Sequence, residues 1–399
     1  MIVLIWQRCC RRRRRRRRSR RLCLSCAILS EANRPASMLA SQKLASRCLR
    51  CLVRCKSTTS IGSGSNSSRA KASVVAEQSL GIIGVPFAKG QGKQGVELAP
   101  DLLRQSNLRQ VLQSSHDGLV IRDYGNLQYA VDETLLQQQR VHYHHIRNYA
   151  DFMACNRALI EQVKLMLQQN SQFLAIGGDH AIGFGSVAGH LQHTPNLSLV
   201  WIDAHADINL HSTSQSGNIH GMPVSFLLEQ LRTTWQHAGL NEIAPNCLPK
   251  DQLVYIGLRD IDPYEAFILN KFGIRYYAMD TIDRVGVPKI IEMTLDALNP
   301  QNKIHVSFDI DALDSNVAPS TGTAVRGGLT LREGISIVEA LRDTKRVQGV
   351  DLVEINPKLG NERDVRTTVE SGLEILKSMF GYRRSGHWSN IDTGILGSD

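Results

Sequence analysis

The stretch LSLVWIDAHADINL, residues 197–210, combines a strand-like apolar run with three ionisable side chains. Its first half is a near-continuous apolar segment of the kind that forms a strand buried on both faces. After it, apolar or small residues alternate with Asp203, His205 and Asp207. Alternation at period two predicts that the strand continues through His205 and carries these side chains on one face. The stretch therefore predicts a buried strand that ends in a functional site.

Six other apolar runs have the same texture, and helical patterns separate them. The predicted strands are 80–87, 173–178, 197–205, 253–259, 274–279, 304–311 and 349–357, and the predicted helices are 150–169, 184–192, 223–232, 263–272, 287–298, 331–343 and 367–380. Buried strands that alternate with helices favour a parallel sheet covered by helices on both faces. The predicted fold class is therefore α/β, with a mostly parallel central sheet.

Polar motifs follow four of the predicted strands at the point where each strand ends. They are GGDH at 177–180, DAHAD at 203–207, DID at 309–311 and EINP at 354–357. In open parallel sheets, ligands bind beyond the carboxyl ends of the strands. The four motifs are therefore predicted to meet at one rim of the sheet and to form a shared site.

Six acids and histidines in three of these motifs are candidate metal ligands. They are His180, Asp203, His205, Asp207, Asp309 and Asp311. Four carboxylates crowded at one rim repel each other unless cations neutralise them, and two divalent ions supply four positive charges. Carboxylates and imidazoles without thiolates suit Mn²⁺. Two such ions roughly 3.5–4 Å apart share a bridging water and turn it into a hydroxide nucleophile near neutral pH. The sequence therefore predicts a binuclear centre with two Mn²⁺ ions per subunit.

Six ordered segments of the chain resemble the ureohydrolase family and, within it, the arginases. They are GGDHAIGFGS, WIDAHADIN, SGNIHGMPVSFLL, YIGLRDIDPYE, SFDIDALDSNVAPSTGTAVRGGL and DLVEINP. The resemblance extends from about Gly81 to Phe380. It implies a three-layer α/β/α fold, a binuclear manganese centre held by the six candidate ligands, and hydrolysis of L-arginine to L-ornithine and urea. It also implies a homotrimer.

The resemblance assigns catalytic roles to two further residues. His220, in SGNIHGMP, is expected to pass a proton to the leaving amine, which must be protonated before it departs. Glu354, in VEINP, is expected to anchor the planar guanidinium of the substrate, for which a carboxylate is a suitable partner. Hydroxide held between the two metal ions is expected to attack the guanidinium carbon.

Four residues are expected, on the same resemblance, to contact the substrate or line its site. Asn209 and Ser216 would bind its α-carboxylate, Asp262 its α-amino group, and Thr323 would line the site. After Asn209 this chain reads LHSTSQSGN, where relatives usually continue with Thr and Pro. This loop is expected to border the amino-acid end of the substrate, so the difference in its sequence is expected to affect the affinity for that end.

Charge divides the chain into a basic leader and an acidic remainder. Residues 1–76 contain 19 Lys and Arg and one acidic residue, whereas residues 77–399 contain 28 Lys and Arg and 36 acidic residues. The formal net charge of +10 therefore belongs to the leader, and the catalytic domain is not expected to bind nucleic acid. Seven of the nine cysteines also lie in the leader. The sparse cysteines of the remainder offer no disulfide framework and suit a reducing compartment.

The chain is predicted to have four parts. Residues 1–57 are a basic, disordered leader, and residues 38–57 within it contain no acid and carry a basic stripe at helical spacing. This profile predicts a mitochondrial transit segment. The alternative is that the leader has no role and that the protein is cytoplasmic. Residues 58–79 form a Gly/Ser linker, residues 80–380 the catalytic domain and residues 381–399 an irregular tail. No apolar run approaches the ~20 residues that a membrane span needs.

Three other functions fit parts of the sequence. An agmatinase acts on decarboxylated arginine, and for it the carboxylate-binding set around Asn209 would be useless. A metal-dependent phosphoesterase would use positive groups to bind phosphate, whereas this rim is acidic. A polyanion-binding protein would use the run Arg11–Arg18, but the acidic remainder confines that function to the leader.

Overall fold

The structure is a computed structural model that describes residues 78–115 and 118–385. The predicted transit segment and all but the last two residues of the predicted linker lie outside the described residues. The same holds for the tail from residue 386 onward. Within the described ranges, no helix is long and apolar enough to cross a membrane.

Eight strands of the described chain form one sheet. They are β1 (Ser79–Val85), β2 (Val120–Asn126), β3 (Gln172–Gly177), β4 (Leu197–Ile202), β5 (Leu253–Leu258), β6 (Arg275–Ala278), β7 (Lys303–Asp309) and β8 (Val347–Val353). Their order across the sheet is β2-β1-β3-β8-β7-β4-β5-β6, and neighbouring strands pair in parallel. The predicted parallel sheet is confirmed. The strands that precede the four polar motifs, β3, β8, β7 and β4, are direct neighbours at its centre.

Helices lie on both faces of the sheet. They are α1 (Ala99–Gln105), α2 (Leu108–Ser115), α3 (Glu133–His142), α4 (Tyr149–Gln169), α5 (Gly183–His193), α6 (Pro223–Leu227), α7 (Leu240–Ile243), α8 (Pro263–Phe272), α9 (Met279–Val285), α10 (Val287–Ala297), α11 (Leu331–Asp343) and α12 (Glu362–Met379). Helices α3 to α8 contribute to one apolar cluster, and α1, α2 and α9 to α12 contribute to another.

Strand β4 shows why the core has two halves. Leu199 and Trp201 belong to the cluster that contains α4 and α5, whereas Val200 and Ile202 belong to the cluster that contains α10 and α11. Successive side chains of a strand point to opposite faces of its sheet, so an all-apolar strand needs helices on both sides. All six residues of β4 are buried. The three-layer α/β/α fold is therefore confirmed.

The structure corrects several predicted boundaries. The strand predicted at 197–205 ends at Ile202, so the alternating DAHAD segment is not a strand. The strands predicted at 304–311 and 349–357 end at Asp309 and Val353, where 3-10 turns or loops begin. The helix predicted at 223–232 breaks after Leu227 and continues as a 3-10 helix. After β4 and β7 the chain leaves the strand because the carboxylates of Asp203 and Asp309 accept hydrogen bonds from the amides of His205 and Asp311.

Strand β2 was not predicted, because it is an edge strand with only one buried residue. Arg104 of α1 holds it in place. Its Nε and Nη2 donate to the two carboxylate oxygens of Asp123 at 2.9 Å each, and Nη1 donates to Asn126 Oδ1 at 2.6 Å. Helices α1, α2 and α3 were also missed, since they are short and mostly polar on the solvent side.

Candidate metal centre

The loop after β3 presents the first candidate ligand. Gly178 passes so close to Phe87 that a Cβ atom there would lie 2.0 Å from the Phe87 carbonyl oxygen. The chain can therefore turn here only with glycine. His180 then opens a 3-10 turn, and the carboxylate of Asp179 caps this turn by accepting a hydrogen bond from the Ala181 amide.

The other candidate ligands follow β4 and β7. Asp203 comes directly after β4, and Asp207 has a φ of 50°, a left-handed backbone conformation that only a fixed local environment holds. Asp309 is the last residue of β7. Its carboxylate accepts a hydrogen bond from the Asp311 amide at 2.8 Å, which turns Asp311 back toward the same rim.

One set of ligand atoms, which we call the inner group, consists of His180, Asp203 and Asp207. His180 Nδ1 lies 2.9 Å from Asp203 Oδ2 and 3.2 Å from Asp207 Oδ2. It also lies 3.1 Å from Asp309 Oδ2, which borders the group. All four residues are buried.

The other ring nitrogen of His180 fixes the chemistry of Nδ1. Nε2 lies 2.9 Å from Ser307 Oγ, and Ser307 itself donates to Asp351 Oδ2 at 2.9 Å. The single hydroxyl proton of Ser307 is thereby used, so His180 Nε2 must carry a proton and Nδ1 is the nitrogen that can lose its proton and bind a metal ion. Nδ1 is buried, and no hydrogen bond of good geometry joins it to the three carboxylates around it.

A second set of ligand atoms, which we call the outer group, consists of Asp203, His205 and Asp311. His205 Nδ1 lies 3.5 Å from Asp203 Oδ1 and 3.2 Å from Asp311 Oδ2. The two groups therefore use opposite oxygens of one carboxylate, that of Asp203. Thr323 also contacts the outer group, because its hydroxyl donates to Asp311 Oδ2 at 2.8 Å.

The protonation of the site reflects a shortage of positive charge. Burial opposes a charged imidazole, but the surrounding carboxylates outweigh burial and raise the pKa of both His180 and His205. Burial, and then the neighbouring Asp203, raises the pKa of Asp207 to about 6. Burial also raises the pKa of Asp309 well above its usual value. Buried carboxylates that attract protons in this way are the environment that divalent cations neutralise.

The donor set therefore fits metal ions. His180 Nδ1 faces three carboxylate oxygens at contact distance, and such a cluster needs a positive charge, which a proton supplies without metal and a metal ion can supply in its place. Imidazole nitrogens and carboxylate oxygens within 4.8 Å of one another can hold such a cation. The shared Asp203 carboxylate fits two ions side by side.

A polar cavity of about 340 Å³ opens beside the outer group. This volume lies at the small end of the roughly 300–1,000 Å³ typical of ligand pockets. Its lining includes the candidate ligands His205, Asp207 and Asp309, and it also includes Asn209, Ser214, Gln215, Ser216, Asn218, His220, Gly221, Asp260, Asp262, Glu265 and Thr323. The predicted contacts to the α-carboxylate and α-amino group thus share one cavity with the candidate metal ligands.

The residues at the far end of this cavity are linked to each other. Asn209 Nδ2 donates to Asp262 Oδ2 at 2.9 Å, and Asp262 begins α8 in a reciprocal cap with Glu265. Ser216 Oγ accepts a hydrogen bond from the Asn218 amide at 3.2 Å. In the loop where the sequence departs from its relatives, His211 Nε2 lies 3.1 Å from the Thr234 carbonyl oxygen and anchors the loop.

His220 lines the cavity and pairs with Glu354, which is buried and does not itself line the cavity. His220 Nδ1 lies 3.1 Å from Glu354 Oε1, which also accepts a hydrogen bond from the His180 amide at 2.9 Å. Gln91 donates to Glu354 Oε2 at 2.9 Å. Burial disfavours the charged ring of His220, but the Glu354 carboxylate outweighs burial and raises the pKa of His220 to about 9. His220 is therefore protonated at neutral pH.

Sequence reasoning missed several residues that support the site. Ser307 and Asp351 orient His180, and the indole Nε1 of Trp201 donates to Asp203 Oδ2 at 2.9 Å. Asp179 and Glu265 are buried acids, and burial raises the pKa of each to about 8. A usable signal existed for Ser307, because a polar residue inside the buried strand sequence IHVSFD needs a polar partner.

The comparisons with known proteins assign the family. The arginase family model matches residues 78–381. The chain belongs to the arginase family. Human mitochondrial arginase-2 is 41% identical over 312 residues, which cover 77% of this chain and 86% of the human protein. This protein is accordingly an arginase-family hydrolase.

Solved arginase structures share the fold. The arginase of Bacillus subtilis is 32% identical, with a TM-score of 0.67 over 77% of this chain and 99% of the bacterial one. The arginase of Entamoeba histolytica, solved in complex with L-ornithine, is 29% identical, with a TM-score of 0.65 over 76% of this chain and 98% of that chain. The arginase family is metal-dependent, which agrees with the donor set described above.

Proposed function

We propose that this protein hydrolyses L-arginine to L-ornithine and urea at a centre of two Mn²⁺ ions. The observation that carries the proposal is the Asp203 carboxylate, which is shared by the inner and outer groups at the end of a polar cavity. The inner ion would be held by His180, Asp203 and Asp207, with Asp309 beside them, and the outer ion by Asp203, His205 and Asp311. The ions, when bound, supply an activated water and neutralise the buried carboxylates.

The side chains of the protein would orient and protonate the substrate. Asn209 and Ser216 are proposed to bind the α-carboxylate, and Asp262 the α-ammonium. Glu354 is proposed to accept hydrogen bonds from the guanidinium, and its contacts with Gln91 and the His180 amide hold its carboxylate in position. Thr323 is proposed to line the site and to steady Asp311.

His220 is proposed to protonate the departing amine of ornithine. Guanidinium is a poor electrophile and its amine a poor leaving group, so a proton at the correct atom is required. A pKa of about 9 keeps a proton on the ring at neutral pH. Its position in the lining of the cavity gives the ring access to bound substrate.

A urea assay tests the proposal directly. The purified protein, loaded with Mn²⁺, is expected to release equal amounts of urea and ornithine from L-arginine, and chelation is expected to abolish this activity. Agmatine, which lacks the carboxylate, should be a poor substrate, since a site built to hydrogen-bond that group leaves its donors unpaired without it. Equal kcat/KM for the two substrates would refute the arginase assignment and favour a broader ureohydrolase.

We also propose a mitochondrial location, a homotrimer and the domain limits given above. Support for the location comes from the acid-free basic segment at residues 38–57 and from relatives named mitochondrial arginase-2. Residues 38–79 fused to a reporter should direct it to mitochondria, and a uniformly cytosolic reporter would overturn the proposal. Light scattering of the purified protein should give three times the subunit mass.

A further inference from the structure

A chain of buried hydrogen bonds runs from the inner group into the core. Its centre is Asp351 of β8, which is fully buried. Asp351 Oδ2 accepts hydrogen bonds from Ser307 at 2.9 Å and from Ser186 at 2.7 Å, and His305 Nε2 lies 3.0 Å from the same oxygen. All three donors contact Oδ2, whereas Oδ1 is buried without a hydrogen-bond partner, so the position of this costly buried carboxylate depends on these three donors.

A pair of buried histidines extends this chain away from the candidate metal centre. His305 Nδ1 of β7 lies 3.1 Å from His190 Nδ1 of α5, and His190 Nε2 lies 3.1 Å from Oε1 of Gln348. Neither ring is exposed. Phe173 meets both rings edge to face, with centroids 5.4 and 5.6 Å away.

The core is shaped to accommodate this pair. Gly349 of β8 lies beside it, and a Cβ atom at that position would approach His190 Nδ1 to 2.8 Å and the Phe173 ring to 2.6 Å. Real Cβ atoms essentially never approach so closely, so any other residue at 349 would displace the rings. Only a residue without a side chain leaves room for both histidines.

The directions of the protons follow from donor and acceptor counting. His305 Nε2 faces a carboxylate oxygen and therefore donates to Asp351, and His190 Nε2 faces Gln348 Oε1 and therefore donates to it. The two facing Nδ1 atoms share one further proton between them. On the other side of the carboxylate, Ser307 donates to Asp351 and accepts from His180 Nε2. Both branches therefore point toward one carboxylate, and His180 Nδ1 is the ring nitrogen that remains for a metal ion.

We propose that His305 and His190 are positioning residues for the inner group. They hold the Asp351 carboxylate, Asp351 orients the Ser307 hydroxyl, and Ser307 fixes the tautomer and orientation of His180. Residues that orient a metal ligand from behind typically change metal affinity or activity by roughly 10–100-fold when they are replaced. The inference rests on the proposed metal centre, and neither histidine touches substrate or lines the cavity.

The test replaces His305 in the full-length protein and measures Mn²⁺ binding. His305→Phe keeps a ring but removes the donor to Asp351, whereas His305→Gln keeps an amide donor near the position of Nε2. Isothermal titration with Mn²⁺ should show about 10–100-fold weaker binding of one of the two ions in His305→Phe and a smaller loss in His305→Gln. His190→Phe should have an intermediate effect. His193→Gln, on the exposed end of the same helix, is the control and should bind like wild type.

Further readouts separate positioning from a purely structural role. His305→Phe should lose the exchange-coupled electron paramagnetic resonance signal of paired Mn²⁺ ions at limiting metal, while KM for L-arginine stays within about twofold. If His305→Phe does not fold, a comparison of Ser307→Ala with Ser307→Thr tests the part of the hydrogen-bond chain between Asp351 and His180, because only threonine keeps the hydroxyl. The inference would be overturned if His305→Phe or Ser307→Ala folds and binds both ions as tightly as the wild-type protein does. Wild type that binds no pair of ions would instead overturn the proposed function.

Discussion

The inner and outer groups share a carboxylate but differ in their surroundings. The His180 side chain is 1% exposed, is covered by the stacked indole of Trp201 and is held from behind by Ser307. The His205 side chain is 21% exposed and faces the cavity, where its Nε2 lies 3.7 Å from the carboxylate of Asp260, itself 68% exposed. The histidine of the inner group is therefore built into the core, whereas the histidine of the outer group is built into the wall of the cavity.

This difference assigns different tasks to the two groups. A ligand fixed on all sides keeps its geometry before metal arrives, and this lowers the cost of ordering the site. A ligand at the cavity wall exchanges more freely and lies next to the substrate. We therefore expect the inner group to retain its ion and the outer group to govern access, exchange and contact with substrate.

Removal of the shared carboxylate should have the largest effect. Asp203→Ala takes one ligand from each group and leaves the remaining buried acids without their neutralising ions. We expect kcat for arginine hydrolysis to fall by about 10³-fold, in line with the loss of a major electrostatic element of an active site. Metal analysis should show fewer than two ions per subunit. Asp280→Ala, which removes an exposed acid outside the cavity, is the matched control, and full activity in Asp203→Ala would refute the assignment.

Chelation should remove the two ions at different rates. The outer ion is expected to leave about 10–100-fold faster, because the buried Ser307 lies 2.9 Å behind His180, whereas the exposed carboxylate of Asp260 lies 3.7 Å from His205 Nε2. Stopped-flow measurement of Mn²⁺ release into excess chelator should show two phases of equal amplitude. His205→Asn should remove the fast phase, whereas Asp207→Ala should affect the slow one. A single phase in the wild-type protein would show that the two environments are equivalent.

The affinity for Mn²⁺ should fall as the pH falls, and more steeply at the inner group. Without metal, the carboxylates keep a proton on His180 at neutral pH, and burial together with Asp203 raises the pKa of Asp207 to about 6. Metal binding needs the neutral imidazole and the ionised carboxylate, so it displaces one proton near pH 7 and a second below about pH 6.

The expected pH slope is measurable. The inner affinity should change about tenfold per pH unit near neutrality and by more below about pH 6. At the outer group, His205 also binds a proton when no metal is present. Burial raises the pKa of Asp203, but the two histidines outweigh burial and lower it, so Asp203 is already ionised. Metal binding at the outer group is therefore expected to displace one proton, that of His205, over the whole pH range. Mn²⁺ titrations between pH 5 and 8 check this. An affinity that does not depend on pH would contradict the charge analysis.

The sequence predicted the inner parts of the fold better than its edges. An all-buried strand such as β4 is unmistakable, because only a sheet covered on both faces buries six residues in a row, five of them apolar. Strand β2 has one buried residue, and Arg104 on a distant helix holds it in place, so no local pattern reveals it. Packing at long range decides such edges, and a single sequence does not display it.

The site was predicted for a partly wrong reason. Period-two alternation in DAHAD indicated a strand face, but the strand stops at Ile202, and the left-handed Asp207 bends the segment so that acids from different turns meet. The candidate ligands were still found, because parallel strands bring their carboxyl ends to one rim. Ser307 and Asp351 were missed because their importance lies in contact with each other rather than in either motif.

The smallest expected effect concerns the far end of the cavity, which the outer group faces. L-arginine and agmatine present the same guanidinium and differ only in the carboxylate proposed to meet Asn209 and Ser216. At the lower end of the net value of a hydrogen bond, about 0.5 kcal/mol for each of the two, the double change to alanine should raise KM for L-arginine by roughly fivefold. These contacts are remote from the reacting carbon and are made about equally in ground and transition states, so kcat should change little.

Agmatine and the metal ions provide the controls for this last change. Agmatine turnover should not respond to the double substitution, since agmatine has no carboxylate to lose contact with, and preference for L-arginine should therefore narrow. Gln215→Ala, in the same loop and cavity, should leave both substrates unaffected. Steady-state kinetics with both substrates, together with Mn²⁺ titration, checks all three expectations. A fall in metal affinity instead of a rise in KM would mean that the loop supports the outer group, and that substrate contact and metal retention are not separate tasks.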